Sequence, residues 1–295
     1  MPQFVEWTQR DAAGQIRVPT RSDGKYSRGV LGVVTGSPRY PGAAVLGVEG
    51  ALRTGVGMVR YVGHQSVAAL VLQRRPEAVL GGGRANAWLC GSGMDRDELS
   101  IELLSIVRDA GELSQPIILD GGALDAHSMA TSAVVITPHH AELAGMFARW
   151  DGSTKAEVPS TADIGREPEV WARRAAELWG VTVLLKGFET LVVGPGVSLV
   201  ARSATPWLAT AGAGDALGGI LGALVATRTD QINSDPGTLA RLAATAAVIH
   251  GCAARRISQG GPFTILDLCA AIPATVAKLL EALGDADDPV PSDYS

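Results

Sequence analysis

The stretch Val30-Leu31-Gly32-Val33-Val34-Thr35, followed by Gly36-Ser37-Pro38 and then by Pro41 to Thr54, decides the fold class of this chain. A run apolar at nearly every position suits a strand buried on both faces, as strands of a parallel sheet are. After the turn, Pro41 suits the first position of a helix, where its missing N–H costs nothing, and Gly55 suits the stop. One strand, one turn and one helix make a βα unit, and the pattern recurs. Met58 to Val62 reads as the next strand, Ser66 as the cap of a helix to about Gln73, Ala87 to Cys90 as a strand ending in Gly91-Ser92-Gly93, and Asp97 to Ala110 as a helix. Ile117 to Leu119 ends in Asp120 and two glycines, Val134 to Ile136 ends in Thr137-Pro138-His139-His140, and Ala141 to Arg149 is helical. Asp151 to Arg166 reads as a surface connection, Glu167 to Trp179 as a helix, and Val181 to Leu185 as a strand closing on Lys186-Gly187. Thr190 to Val193 and Val197 to Ala201 flank Gly194-Pro195-Gly196 as an antiparallel hairpin. Helices over Thr238 to Ile257 and Leu266 to Leu283 follow a glycine-rich one. The sum is a mostly parallel sheet with helices on both faces.

Composition bounds the rest. With 295 residues, 46% hydrophobic and 19% charged, the chain can bury a sizeable core and stands far from the disordered class. A formal net charge of -5 argues against nucleic acid as the main partner. The N-terminus lacks the basic start and apolar run of a signal peptide, and no long window is continuously apolar, so a cytoplasmic protein without a membrane partner is expected. Cys90, Cys252 and Cys269 fall in no ligand-like spacing and read as thiols of a reducing compartment. The segment before Asp23 and the Asp- and Pro-rich tail from Asp285 to Ser295 read as an N-terminal extension and a flexible tail around one domain over 23–284.

Chemistry concentrates in Thr210-Ala211-Gly212-Ala213-Gly214-Asp215, which opens the apolar helix continuing to Val225. Free N–H groups at a helix N-terminus attract anions, and glycines let the backbone come close. Gly212, Ala213 and Gly214 therefore form a candidate anion hole. An acid at the mouth of so apolar a helix is suited to take a proton from a substrate hydroxyl, with an N-capping Asp as the plain alternative. Gly36-Ser37, Gly91 to Gly93, Asp120, Thr137 to His140 and Lys186-Gly187 all fall at strand ends, where open α/β sheets bind ligands.

Taken together, Lys25 to Ser37, Tyr40 to Ala44, Ala51 to Met58, Thr137 to Glu142, Leu185 to Gly187 and Ala209 to Asp215 resemble, in order from about Asp23 to Leu283, the ADP-dependent (S)-NAD(P)H-hydrate dehydratases. The resemblance implies a three-layer α/β/α ribokinase-like domain and a hydro-lyase that repairs hydrated nicotinamide cofactors, with ADP as co-substrate and Mg²⁺ as cofactor. In many bacterial relatives an epimerase domain precedes this one, and the chain's length leaves no room for it. Asp215 is then the base and a substrate contact. Ala43, Gly93 and His139 meet the hydrate. Lys186, Gly187, Phe188, Glu189 and Thr190, with Gly214, meet the nucleotide, and no residue is assigned as a direct metal ligand. A homo-oligomer is expected, a tetramer among its forms, although the sequence itself does not reveal oligomeric state. A small-molecule kinase of the same fold and a nucleotide-binding regulator without catalysis are the alternatives.

Three departures from the family pattern stand out. His140-Ala141 replaces the Pro-Gly of many relatives, which removes a rigid turn residue. Ala213 replaces a serine, which removes a hydroxyl but leaves the backbone donors. Ala204-Thr205-Pro206-Trp207 stands where many have Gly-Asn-Pro, so one side-chain contact differs there, and Trp207 reads either as a base-stacking ring or as packing under a loop. The roles of Asp120, as a turn residue or a water-mediated metal contact, and of Glu142, as a helix-dipole partner, stay open.

Overall fold

The computed structural model describes residues 3–150 and 158–284. The tail from Asp285 and the first part of the connection after Trp150 lie outside them. Ten strands form one sheet: β1 Val5–Glu6, β2 Val30–Val34, β3 Met58–Tyr61, β4 Val79–Leu80, β5 Ala87–Cys90, β6 Ile117–Leu119, β7 Val134–Ile136, β8 Thr182–Leu185, β9 Thr190–Gly194 and β10 Val197–Ala201. Their order is β1-β10-β9-β8-β7-β6-β5-β2-β3-β4. Pairing is parallel from β8 through to β4, and β9 runs antiparallel to both β8 and β10.

The helices are α1 Gln9–Gln15, α2 Pro41–Thr54, α3 Gln65–Arg74, α4 Ile101–Asp109, α5 His140–Arg149, α6 Thr161–Arg166, α7 Pro168–Trp179, α8 Ala213–Thr227, α9 Thr229–Ser234, α10 Gly237–Ser258 and α11 Ile265–Gly284. Because side chains alternate along a strand, the two faces of the sheet feed two separate cores. Leu31, Val33, Leu89 and Ile118 pack with Val48 of α2, Ile220 of α8, Leu242 of α10 and Leu268 of α11. Val34, Cys90, Ile117 and Leu119 pack with Leu103 of α4, Phe147 of α5 and Ala172 of α7. Helix, sheet and helix make three layers, as the resemblance implies.

Several elements differ from the reading of the sequence. Ser66 does not cap α3: the ring of His64 accepts from the Ser66 N–H, and the Ser66 hydroxyl bonds the same Nδ1 at 2.8 Å. The helix expected from Asp97 is broken at Leu99. A 3₁₀ turn covers Arg96–Glu98, and Ser100 starts α4 afresh by accepting from the Leu103 N–H at 3.1 Å. Thr161–Arg166 is a short helix inside the expected surface connection, started by a capping box between Ser160 and Asp163. Residues of the N-terminal segment from Val5 on contribute to the same body. β1 extends the sheet beside β10, Thr8 and Asp11 form a capping box for α1, and the Trp7 indole donates to Thr245 of α10 at 3.0 Å. The two-residue strands β1 and β4 are too short to show a periodicity.

α2 and α8 approach so closely that neither Gly219 nor Gly50 has room for a side chain. A Cβ at Gly219 would lie 2.1 Å from the Gly47 carbonyl oxygen, and one at Gly50 2.8 Å from that of Ala216. This contact fixes the first turns of α8 against the middle of α2. Gly219→Ala should therefore cost about 1–3 kcal/mol by forcing the helices apart. Gly47→Ala, whose Cβ would meet only ordinary contacts at 3.6 Å and beyond, should be close to neutral. Urea unfolding of both variants checks the pair, and equal destabilisation would contradict the packing argument.

Candidate active site

Four neighbouring strand ends converge on the carboxylate of Asp120, which follows β6. Ser92, after β5, donates to its Oδ2 at 2.9 Å, and Thr137, after β7, donates to Oδ1 at 2.7 Å. Lys186, after β8, donates to the same Oδ1 at 2.8 Å. Asp120 is 5% exposed. Burial opposes its ionisation, but the Lys186 ammonium and the three donors outweigh burial and hold the carboxyl below its ordinary range. The Lys186 Nζ also lies 3.6 Å from Glu142. Glu142 in turn accepts from the His139 N–H at 2.7 Å and receives the first-turn cap of α5, since the His139 Nδ1 accepts from the Glu142 N–H. His139 is thus an N-cap as well as a wall of the site. Neither partner of this capping box could be read as such from a His-x-x-Glu spacing, because histidine is an uncommon cap.

The Lys186 ammonium reaches the glycine loop: a Cβ at Gly214 would stand 3.6 Å from Nζ. Gly212 precedes α8 with φ +90°, a left-handed backbone that glycine adopts freely, and a Cβ there would come within 2.5 Å of Leu46. In the first turn of α8 the Ala213 N–H, expected in the anion hole, donates to the Thr210 carbonyl at 3.4 Å and the Ala216 N–H to Gly212, which leaves the Gly214 and Asp215 N–H groups and the helix dipole beside a buried cation. A cavity of about 660 Å³ opens against them, lined by His139, Lys186, Gly187, Phe188, Thr190, Ala213 and Gly214 and by Leu208, Leu217, Ala247 and His250 among others. The strand-end residues expected at the nucleotide are brought together there with one exception. Glu189 does not line the cavity, and its carboxylate instead accepts from Arg202 at 2.9 Å. Trp207 is not in the wall either: it is 45% exposed and its indole donates to the Gly260 carbonyl at 3.0 Å.

Asp215 stands beside Gly214 on the first turn of α8, not in the cavity wall. Burial, with the charge of Asp120 added, pushes its carboxyl up to about 6, and the charge of Lys186 opposes the shift. Of the residues expected at the hydrate, Ala43 and Gly93 lie outside the cavity wall as well, whereas His139 lines the cavity with Lys186. A Cβ at Gly93, φ +66°, would fall 2.3 Å from the Ala43 Cβ, so these two positions are packed against each other. Gly47, one turn beyond Ala43, stands within 3.6 Å of the Asp215 carbonyl oxygen when given a Cβ. One side of α8's first turn, with Ala213 and Gly214, thus faces the cavity, and the Asp215 backbone faces α2.

The sequence reading did not single out Ser92 and Thr137 as Asp120's donors, nor His250 in the cavity wall.

No group of three or more His, Cys, Asp or Glu side chains among the described residues forms a metal cage. The acceptors present suit an ion of another kind. Mg²⁺ needs only one or two carboxylates when phosphates and water supply its remaining ligands, and Glu142 stands at the cationic end of the cavity.

The raised Asp215 carboxyl carries a stability cost with a definite sign. The native state favours the protonated form, so the penalty is absent below the ordinary value of 3.8 and is fully present above about 6. Asp215→Asn should accordingly raise the melting temperature at pH 8 and leave it nearly unchanged at pH 4. Calorimetry at the two values checks this, and a loss of stability at pH 8 would mean that the carboxylate is a helix cap.

Comparison with known proteins points to one family. The sequence model of the NAD(P)H-hydrate dehydratase family matches residues 31–272. An ADP-dependent (S)-NAD(P)H-hydrate dehydratase of Neisseria meningitidis is 30% identical over 253 residues, covering 80% of this chain and 79% of the relative. A bifunctional NAD(P)H-hydrate repair enzyme of Mycobacterium tuberculosis is 36% identical over 230 residues, covering 74% of this chain and 45% of the relative. The chain thus spans about half the length of the bifunctional relatives it matches. Among solved structures, the ADP/ATP-dependent NAD(P)H-hydrate dehydratase of Bacillus subtilis, co-crystallized with ATP/Mg²⁺, superimposes with a TM-score of 0.77 at 22% identity, covering 93% of this chain and 98% of that one. On the extent of the family match and of the Neisseria alignment, this chain belongs to the NAD(P)H-hydrate dehydratase family.

Proposed function

We propose that this chain dehydrates the S form of hydrated NADH or NADPH at the expense of ADP, releasing AMP and phosphate. The observation that carries the reading is the placement of one half-buried carboxylate, Asp215, on the first turn of a helix whose N–H groups and neighbouring Lys186 face a nucleotide-sized cavity. Hydroxide is a poor leaving group, and phosphate is a good one. Asp215 takes the proton of the hydrate's C6 hydroxyl as its oxygen attacks the β-phosphorus of ADP, and the bond to the bridging oxygen breaks to release AMP. The ring nitrogen then expels phosphate, a proton leaves the adjacent carbon, and the double bond is restored. Charge gathering on the transferred group meets the Gly214 N–H group, the dipole of α8 and the Lys186 ammonium. Glu142 and, through water, Asp120 would help hold a Mg²⁺ on the phosphates, and the ion would supply further neutralisation of that charge.

Lys186 is held on the nucleotide side by Asp120 and Glu142, so it need not search for its position when ADP enters. Ala43 and Gly93 shape the opposite side, where larger side chains would occupy the space of the nicotinamide ring. The backbone of Gly187 to Thr190 follows the nucleotide.

Supplied with hydrated NADPH, ADP and Mg²⁺, the protein should restore the absorbance of reduced nicotinamide with equal amounts of AMP and phosphate. A hydrate left untouched, together with a stable phosphate ester formed on a vitamin precursor or sugar alcohol, would make the protein a kinase of this fold. Within the dehydratase reading, Asp215→Asn should lower kcat by roughly 10²–10⁴ while ADP still binds. Lys186→Ala should weaken ADP and leave the hydrate's affinity unchanged. Loss of hydrate binding alone would place Lys186 on the wrong ligand.

A further inference from the structure

Three cations from two helices share one concavity that the chemistry above does not use. It has a volume of about 280 Å³, lies where α1, α10 and α11 meet, and is lined by Gln9, Cys252, Arg255, Arg256, Thr275 and Lys278 among others. Thr275 is buried and Cys252 half-buried, whereas Gln9 and the three cations are exposed, so the cavity has a closed base and a charged rim. No carboxylate lines it. None of the three cations is ion-paired with a described residue, although the chain as a whole has a formal net charge of -5.

Helix electrostatics explain only part of this arrangement. Cations in the last turn of a helix answer its dipole, which accounts for the sign of Arg255 and Arg256 on α10. Lys278 stands before the last turn of α11, where the dipole makes no such demand. Arg255 is also fixed in place. Its Nε donates to the Ala204 carbonyl at 3.3 Å, and its Nη2 donates to the carbonyls of Arg202 and Ala204 at 2.9 and 3.3 Å. Neutral carbonyls orient a guanidinium without cancelling its charge, and Nη1 is left without a bond to a described residue. The charges of both helices are felt at one point: burial raises the Cys252 thiol, and Arg255 of α10 and Lys278 of α11 both oppose the rise.

Three uncancelled positive charges with no acid among them suit an anion of two or three negative charges. Guanidinium groups match phosphate oxygens in geometry, and an ammonium adds a point charge. The volume is less than half the 660 Å³ of the active-site cavity, which suits a compact anion and not a nucleotide. We propose that the junction of α1, α10 and α11 is a second binding site, for a compact phosphate-bearing anion, either a free phosphate or diphosphate or a small phosphate ester. Arg255 is its fixed donor, and Arg256 and Lys278 close on the anion from the rim.

The test is calorimetric titration of the full chain, at saturating ADP and constant ionic strength, with inorganic phosphate, pyrophosphate, glycerol 3-phosphate and, as a control, acetate. ADP keeps the probes out of the nucleotide cavity. Cys252 reports where they bind, because Cys90 and Cys269 are buried and it is the half-exposed thiol of the three. At least one phosphate-bearing probe should bind once per chain and slow the labelling of Cys252 by the uncharged N-ethylmaleimide several-fold. In the double variant Arg256→Gln, Lys278→Gln that affinity should fall about 10-fold or more, as loss of charge-assisted hydrogen bonds entails, and the protection should vanish. Comparing labelling with and without probe inside each protein removes the effect of the substitutions on the thiol itself. Tightest binding of glycerol 3-phosphate assigns the site to an ester, and tightest binding of phosphate or pyrophosphate assigns it to the free anion. Melting temperatures establish that the double variant is folded, and Lys278→Gln alone carries the comparison if it is not. Absence of saturable binding overturns the inference. So does affinity that survives the substitutions, binding that leaves Cys252 labelling unchanged, or acetate binding as tightly as the phosphate-bearing probes.

Discussion

One buried carboxylate holds the working end of this molecule together. Asp120 gathers donors from the ends of β5, β7 and β8 onto the end of β6, so that four strands finish at a common point. A charge so deeply placed is tolerable only with its lone pairs satisfied, and each of its three donors comes from a different strand end. The consequence is positional. The Lys186 ammonium has one place to be, between Asp120, Glu142 and the backbone of Gly214, and an anion entering the cavity meets a cation already desolvated and fixed. Preorganised charge of this sort stabilises a transition state without the reorganisation that water would require.

The second constraint is the glycine contact between α2 and α8. It brings Gly47 of α2 against the Asp215 backbone on the first turn of α8, where the Asp215 side chain is half-buried. Burial has two effects on that group. It destabilises the ionised form in the native state, and it lifts the pKa to about 6, where a carboxylate is a stronger base than it is in water. A site built to stabilise itself would have placed a neutral cap here. The cost of the charge is the mark of a group kept for its chemistry.

The layers, the parallel sheet and the hairpin were legible because each rests on a local pattern: apolar runs for β2, β5 and β6, proline and glycine brackets for α2, and Gly194-Pro195-Gly196 for the turn between β9 and β10. The cap by His64 and the break at Leu99 were not legible, since each is decided by a side chain that outcompetes a more usual one. The motif residues at strand ends were legible as ligands of something. What joined them was not: the bonds from Ser92 and Thr137 to Asp120 span 28 and 17 residues of sequence. The packing of Gly93 on Ala43 likewise appears only once the chain is folded. His250 stayed unseen because a lone histidine among alanines carries no spacing signal.

The central claim is that the Asp215 carboxylate, raised by burial and by Asp120 and facing a fixed cation, is the base of the reaction. The most direct measurement is the pH dependence of kcat/KM for hydrated NADPH at saturating ADP, in the wild type and in Asp120→Asn. The wild type should lose activity with unit slope as pH falls through about 6, because the base must be ionised. In Asp120→Asn that limb should move to lower pH, since one of the charges raising the carboxyl is gone and Lys186 is freed to act on it. A profile flat from pH 5 to 8, or a limb that stays in place when Asp120 is neutralised, would contradict the account.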